Sequence, residues 1–364
     1  MAMKDWLLGQ AVGATLAYKS RPASIRRALA RHKYLHAREP SPDSIVAGVV
    51  QMRIDLLDDG VEFVDKYYDL VWRAVERGAQ LIVFPEYAWL GILGLLPPVR
   101  ALAEKGVTLQ GAIDELAPGG DLTIASVFRT IAPAVRRIFE TTGSELARQF
   151  GVYLMPGSAI VADPSGRLFN TAYLFGPDGS LIGTQRKLHP TSLEKDWMAT
   201  DGEMEVYELG FGRVAMPVCM DHTYWETARV AGLLGAEILF GFSAEEKGND
   251  YYMAMRGVPT RIQEDFAYGT QACAVTKLFG LNFCGPSSII APLGVWDDES
   301  IFITQTKTHD QEEVITARLD LTHLRKWRAL RPRDFNLALY RKYLPRSYEM
   351  FRVGATQRGK RQVT

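Results

Sequence analysis

The 364-residue sequence predicts a mixed-sheet α/β protein. From residue 44 onward, short apolar runs rich in β-branched residues alternate with longer segments of helical spacing, the pattern of strands alternating with helices. Turn sequences such as Gly176-Pro177-Asp178-Gly179 join neighbouring runs directly and predict hairpins. Helical crossovers and hairpins in one chain indicate sheets of mixed strand direction.

Each element follows from its local pattern. Residues 44–52 read SIVAGVVQM, which is typical of a buried strand, and 61–77 carry an apolar face at helical spacing that Gly78 ends. The Gly- and Pro-punctuated stretch 91–123 supports no assignment. The predicted strands are 44–52, 81–84, 152–160, 168–175, 181–187, 205–209, 213–219, 237–242, 271–275, 287–291 and 314–319. The predicted helices are 61–77, 124–150 (one helix or two), 224–234 and a segment near 251–266.

Three regions are predicted along the chain. Residues 1–43 form a basic helical N-terminal arm, broken at Arg21-Pro22; 44–340 form one domain; 341–364 form a basic C-terminal tail. Residues 1–40 and the tail each carry a net charge of +6, so the middle carries −12. The basic ends fit solvated surface segments, or docking segments for an anionic surface or a neighbouring subunit.

Bulk composition excludes several classes of protein. Lys plus Arg and Asp plus Glu are both 42, so no nucleic-acid partner is expected. No run approaches the ~20 apolar residues of a membrane span; membrane contact by the arm stays open but is not favoured. The three cysteines, Cys219, Cys273 and Cys284, argue against a disulfide framework and predict a cytoplasmic location. His32 and His36 have no third ligand nearby, so no metal site is predicted.

Glu86, Lys187 and Cys219 stand at the carboxyl ends of apolar strands. Such positions are where α/β sheets present reactive groups, although each residue alone is more often a cap, an edge residue or core filler. Together they form a chemical set, because a thiol needs a base and a carboxylate between apolar walls holds a proton more tightly. A nearby cation offsets the negative charge that develops on the attacked atom.

These residues lie in segments that resemble the nitrilase superfamily of carbon–nitrogen hydrolases. The three segments that resemble its signatures are IVFPE (82–86), RKL (186–188) and PVCMD (217–221). The resemblance continues through RIQED (261–265) and GPSSIIAPLG (285–294) and covers about 44–320 in the family's order.

The resemblance implies a four-layer αββα sandwich, usually a homodimer, that works without metal or organic cofactor; a higher homo-oligomer is the alternative assembly. It makes Glu86 the base, Lys187 the transition-state support and Cys219 the nucleophile, with the Met220 backbone N–H as an oxyanion donor. Glu194 matches a second glutamate near the lysine; its alternative is a surface carboxylate.

Two differences from the usual sequence of the family concern substrate binding. The family's Tyr-Pro-Glu after the cysteine is Tyr224-Trp225-Glu226 here, which predicts a changed loop with an indole over the site. Met220 and His222 are further candidate substrate-binding residues, His222 with a structural hydrogen bond as its alternative. The Met-Asp-His sequence after Cys219 is unlike that of nitrile-cleaving members, whereas LHPTSLE (188–194) resembles them.

Four functions follow from this set. The leading prediction is hydrolysis of a small carboxamide or N-carbamoyl compound, and the second is nitrile hydrolysis through a thioimidate. A non-catalytic binding or scaffold protein on the same fold is the third. Acyl transfer to an amine in place of water is the fourth.

Overall fold

Two mixed β-sheets are joined through strand β1 (Ser44–Arg53), which pairs with β10 (Tyr268–Leu278) at Met52 and Arg53. The structure is a computed structural model that describes residues 12–96, 99–116, 122–246, 248, 250–296, 299–330 and 336–344. The start of the predicted arm, 1–11, and most of the predicted tail, 345–364, lie outside the described residues. The chain divides into two units, residues 1–324 and 325–364. The functional chemistry predicted above lies in the first.

The first sheet is built around β1, which lies between a parallel and an antiparallel neighbour. Its residues are apolar on both faces, as expected for a strand covered on both sides. The remaining strands of this sheet are β2 (Leu81–Val83), β3 (Tyr153–Met155), β4 (Ser158–Ala162), β5 (Leu168–Phe175), β6 (Leu181–Arg186) and β14 (Glu313–Asp320).

The second sheet extends from β10 through parallel partners to an antiparallel hairpin at its edge. Its other strands are β7 (Val206–Leu209), β8 (Gly212–Ala215), β9 (Ile238–Ser243), β11 (Leu281–Phe283), β12 (Ser288–Ile290) and β13 (Phe302–Gln305).

Helices cover the outer face of each sheet. On the first, α3 (Gly60–Glu76) is preceded by Asp59, whose carboxylate caps two backbone N–H groups, and α6 (Ile124–Phe150) is followed by the left-handed Gly151. On the second, α7 (Trp225–Leu233) and α9 (Val258–Asp265) bury small and β-branched residues against β8 and β9. The helices are 12–19 (α1), α2 (Pro22–Leu29), α3 (Gly60–Glu76), α4 (Val99–Glu104), α5 (Leu109–Leu116), α6 (Ile124–Phe150), α7 (Trp225–Leu233), α8 (Tyr251–Met255), α9 (Val258–Asp265), α10 (Leu321–Leu330) and α11 (Leu337–Tyr343). The predicted αββα sandwich is therefore confirmed.

Several boundaries differ from prediction for local reasons. The strand predicted over 152–160 is two strands, because Gly157 has a φ of +94° and a Cβ there would collide with the Pro85 carbonyl oxygen. The helix predicted near 251–266 is α8 and α9, separated at Gly257 and with Pro259 in the first turn of α9. The strand predicted over 213–219 ends at Ala215, so Cys219 lies on a connection beyond the sheet.

Part of the predicted arm packs against α3 and α6 within the first unit. Leu16, Ile25 and Leu29 are buried in the same core cluster as residues of α3 and α6. Arg26 on α2 also pairs with Glu145 on α6 at 2.7 Å. Among the helices that the structure describes, none is both long and apolar enough to cross a membrane.

Candidate active site

The structure brings Glu86, Lys187, Cys219 and Glu194 together at one edge of the sandwich. Glu86 follows β2, Lys187 follows β6 directly, and Cys219 opens a 3₁₀ turn (Cys219–Thr223) after β8. Each strand is anchored by backbone pairing, so these side chains are held by the sheets. The juxtaposition predicted from the strand ends is present.

Lys187 lies between two carboxylates in the protein interior. Its Nζ is 2.8 Å from Glu86 Oε1 and 2.8 Å from Glu194 Oε2, and all three side chains are at most 2% exposed. Tyr87 donates its hydroxyl to Glu194, and the Lys187 ammonium lies 5.8 Å from the Tyr87 ring centroid. Such burial requires every charge to be paired.

Asn170 on β5 is a site residue that the sequence prediction missed. Its Nδ2 donates to Glu86 Oε1 at 2.9 Å and to Glu194 Oε1 at 3.4 Å, and its backbone carbonyl accepts from the Lys187 backbone N–H. The side chain therefore holds both glutamates in place. A buried amide in the otherwise apolar start of β5, LFNTAYLF, was the available signal.

Two backbone N–H groups complete the carboxylate shell. Ala244 donates to Glu86 Oε2 at 3.2 Å, and Thr191 donates to Glu194 Oε2 at 2.7 Å. Glu86 is thus oriented by a distant segment and Glu194 by its own loop, and both contacts limit the positions that the carboxylates can take.

Cys219 has a strained backbone, and the Glu86 carboxylate lies near its thiol. Its φ of +48° lies in the left-handed region that non-glycine residues rarely adopt, and such strain is frequent where a side chain must project into a site. Cys219 is partly exposed, and its thiol lies close enough to the Glu86 carboxylate for that charge to contribute to raising its pKa. Cys273 and Cys284 are buried, and burial raises the pKa of Cys273 to about 11.

The two glutamates have opposite pKa shifts. Burial raises the pKa of Glu86, assisted by the nearby Glu194 charge and opposed by Lys187. Burial also acts to raise the pKa of Glu194, but Lys187 and hydrogen bonds from Thr191 and Tyr87 hold it below its usual value. Two carboxylates with separated proton affinities can take different roles, one exchanging a proton and the other staying ionised.

Lys187 and Cys219 respond to the same burial in different ways. Burial acts to lower the pKa of Lys187, but the charges of Glu86, Cys219 and Glu194 outweigh it and raise the pKa, so the ammonium stays protonated. Burial and the Glu86 charge raise the pKa of the Cys219 thiol well above its usual value. The thiol therefore needs a base at the moment of attack, and Glu86 is the carboxylate whose charge acts most on the thiol.

Asp221 connects the lysine loop to the cysteine loop. The carboxylate is fully buried and accepts backbone N–H groups from Leu188 (3.1 Å), His189 (2.8 Å) and Val218 (2.9 Å). His189 Nδ1 also lies 3.0 Å from it. One carboxylate thus fixes the spacing between the segments that carry Lys187 and Cys219.

Two cavities meet at Cys219. One, of about 400 Å³, is lined by Glu86, Lys187 and Glu194 as well as Cys219. The other, of about 370 Å³, is lined by Cys219 together with Met220 and His222. The cysteine is therefore accessible to a ligand in either cavity.

The candidate substrate-binding residues are placed differently. Met220 and His222 line the second cavity, whereas Tyr224 and Trp225 line neither cavity. The Tyr224 ring stacks on His189 at 4.3 Å. Burial lowers the pKa of His222 to about 4, and its Nε2 lies 3.3 Å from the Phe240 carbonyl oxygen, so this imidazole is neutral and hydrogen-bonded to the backbone. Within the described ranges, no cluster of three His, Cys, Asp or Glu side chains is arranged to hold a metal ion.

Comparison with known proteins gives a family match. The family described as "Carbon-nitrogen hydrolase" matches residues 46–329. A nitrilase from Pyrococcus abyssi is 28% identical over 280 residues, which are 77% of this chain and 91% of that protein. An omega-amidase from Danio rerio is 27% identical over 193 residues, 50% of this chain and 66% of that protein.

Solved structures share the fold. A carbon–nitrogen hydrolase from Helicobacter pylori superposes with a TM-score of 0.61 at 21% identity, covering 82% of this chain and 98% of that one. An amidase from Nesterenkonia, of the nitrilase superfamily, gives a TM-score of 0.59 at 19% identity, covering 83% of this chain and 98% of that one.

We expect Asp221→Asn to destabilise the protein by about 2–4 kcal/mol, because the amide cannot accept all the N–H groups that the buried carboxylate accepts. Chemical denaturation measures this change in the free energy of unfolding. Asp201→Asn is the matched control, because Asp201 is about one-third exposed in its pair with Arg186, and its loss should cost no more than about 1 kcal/mol. Equal effects of the two substitutions would contradict the connecting role of Asp221.

Proposed function

This chain belongs to the carbon–nitrogen hydrolase family, and on that premise we propose that it hydrolyses a carboxamide or an N-carbamoyl compound with Cys219 as nucleophile. The observation that carries the proposal is the position of Glu86, whose carboxylate lies 2.8 Å from the Lys187 ammonium and lines the same cavity as Cys219. In this position Glu86 can take the proton of the nucleophile and later donate it to the leaving nitrogen. Relatives named amidase and omega-amidase support the choice of an amide.

The first half of the reaction forms a thioester. Glu86 accepts the thiol proton as the Cys219 sulfur attacks the carbonyl carbon. Lys187 and the Met220 backbone N–H stabilise the oxyanion of the tetrahedral intermediate. Glu86 then returns its proton to the nitrogen, the C–N bond breaks, and ammonia or an amine leaves.

The second half clears the thioester with water. Glu86 accepts a proton from water, whose oxygen attacks the thioester carbon. The C–S bond breaks, the acid departs, and the sulfur regains its proton from Glu86. The net reaction consumes one amide and one water and yields one acid and one ammonia or amine.

Glu194 has a supporting role in this proposal. Its lowered pKa keeps it ionised beside Lys187, so the ammonium remains charged while Glu86 changes its protonation. The Glu194 charge also contributes to the raised pKa of Glu86. A carboxyl with a raised pKa is a better proton donor to the leaving nitrogen near neutral pH.

A second candidate is nitrile hydrolysis with the same residues. The match to the nitrilase of Pyrococcus abyssi over most of both chains favours it. Here Cys219 would add to the nitrile carbon to give a thioimidate, and one water would release ammonia and leave the thioester. A second water would then release the acid.

The test is ammonia and acid release from matched amide, N-carbamoyl and nitrile panels. We expect turnover of amides or carbamoyl compounds, and a loss of about 10³-fold or more in Cys219→Ala, because the covalent route is removed. Cys284→Ser is the matched control and should keep the activity, since Cys284 lies outside both cavities described above. Turnover of nitriles alone would support the second candidate.

A non-catalytic binding protein and an acyltransferase remain distinguishable alternatives. No turnover, with Cys219 labelled by iodoacetamide no faster than Cys273 or Cys284, would favour a binding protein. Amide products formed from added amine acceptors would favour acyl transfer.

We expect Glu194→Gln to move the acid limb of the kcat/KM profile to lower pH and to lower kcat by about 10-fold or more. The sign follows because the Glu194 charge raises the pKa of Glu86. Without it, Glu86 loses its proton at lower pH, and the active ionised form persists further into acid. Asp196→Asn changes an exposed neighbouring carboxylate and is the control. An acid limb that stays in place, or moves to higher pH, would contradict the electrostatic role of Glu194.

We propose that the protein is a homodimer in solution. Helix α7 and the residue after it leave Val230, Leu233 and Leu234 between 42% and 60% exposed, and adjoining exposed apolar side chains are typical of an interface. Leu233→Lys should yield monomers in size-exclusion chromatography with light scattering. Leu181→Lys, at another exposed leucine (48%), should not. A monomeric wild-type protein at micromolar concentration would overturn this proposal.

A cytoplasmic location is also part of the proposal. The sequence has three cysteines in 364 residues, and one of them is the proposed nucleophile. Such sparse use of cysteine, together with a reactive thiol, suits a compartment that keeps cysteines reduced.

A further inference from the structure

The cavity of about 400 Å³ adjoins the reacting groups on one side. Glu86, Lys187, Glu194 and Cys219 all contribute to its wall. The second cavity shares Cys219 but is lined by neither Glu86 nor Lys187. A substrate carbon bonded to the sulfur and facing Lys187 therefore opens into the first cavity, which we call the acyl chamber.

Much of the rest of the acyl chamber is aromatic and aliphatic, although its wall also includes polar residues: Thr108, Gln110, Thr191 and Ser192. Trp89, Phe128 and Trp197 form a chain of edge-to-face contacts with centroid distances of 5.2 Å and 5.1 Å. Phe279 and Leu281 belong to a different segment of the wall. Rigid aromatic walls give an apolar group a large contact area at a low entropic cost. The volume lies within the ~300–1,000 Å³ range of ligand sites and exceeds the need of an acetyl group.

The charges in this wall disfavour an anionic group. Among the described residues that line the chamber, Lys187 is the cation, and it is already held between Glu86 and Glu194. Glu245 and Glu246 lie in the same wall. A carboxylate on the acyl group would be desolvated beside further carboxylates, which is unfavourable.

We propose that the acyl chamber selects substrates with a bulky, uncharged, predominantly apolar acyl group, such as an aryl-alkanoyl group. This inference rests on the proposed function, since it assumes a substrate carbon on Cys219. It disfavours two other classes of substrate, short aliphatic amides and the monoamides of dicarboxylic acids.

The test compares three acyl groups, each as the amide and as the nitrile, so that the acyl preference is measured whichever bond is cleaved. The probes are 3-phenylpropanoyl, its para-carboxylate analogue and acetyl. We expect kcat/KM for the phenylpropanoyl compound to exceed both others by about 100-fold, because its ring buries apolar surface that acetyl lacks and carries no charge into the chamber.

Leu281→Arg adds a cation to the acyl chamber and should raise the preference for the para-carboxylate compound over its parent by about 10-fold or more. Gln305→Arg adds the same side chain to the wall of the second cavity and should leave this ratio within about twofold. If Leu281→Arg does not fold, the comparison of the three acyl groups by the wild-type protein remains decisive.

The outcomes separate this inference from the proposed function. Two results would overturn the acyl-chamber assignment and leave the hydrolase proposal standing. One is faster hydrolysis of the acetyl or the para-carboxylate compound than of the phenylpropanoyl compound. The other is a change in the para-carboxylate to phenylpropanoyl ratio of kcat/KM in Gln305→Arg but not in Leu281→Arg. No ammonia from any of the six compounds, nor from the wider amide, N-carbamoyl and nitrile panels, would contradict the proposed function itself.

Discussion

The burial of the Lys187 ammonium between two carboxylates is the constraint on which the site depends. Three charged side chains at most 2% exposed would be strongly destabilising if any partner were missing. The two carboxylates also accept hydrogen bonds from Asn170, Tyr87 and two backbone N–H groups. The cluster separates the proton affinities of Glu86 and Glu194, because each carboxylate has a different set of donors.

The fold supplies the distances that the cluster needs. Glu86 comes from the first sheet after β2, Lys187 from the end of β6, and Cys219 from a connection after β8 in the second sheet. Asp221 reaches from the cysteine loop to the backbone of the lysine loop and so joins these positions across a sequence separation of 33 residues. Gly157 allows the next strand connection to approach the Pro85 carbonyl closely, beside Glu86. The loops that carry the three reactive side chains are therefore positioned by contacts between the connections that follow the strands.

The sequence predicted what is encoded locally. The mixed-sheet α/β class, most strands and the set Glu86, Lys187 and Cys219 follow from short apolar runs that end in polar residues, whereas the αββα sandwich was implied by the family resemblance. Both β1 and α6 match their predicted extents closely. Asn170 was missed because its importance depends on the pairing of β5 with β6, which a linear pattern does not report. The short strands β11 and β13 were missed because three or four residues carry too little periodicity. Trp225, predicted over the site, lines neither cavity, because the direction of a loop side chain is set by tertiary contacts.

The central claim is that the sulfur held beside Glu86 carries the substrate's acyl group during turnover. Acid-quenched protein, digested and analysed by mass spectrometry during turnover of a 3-phenylpropanoyl substrate, measures this directly. The account predicts a peptide containing Cys219 whose mass is increased by the acyl group. Turnover with no adduct, or with the adduct on Cys273 or Cys284, would contradict the account.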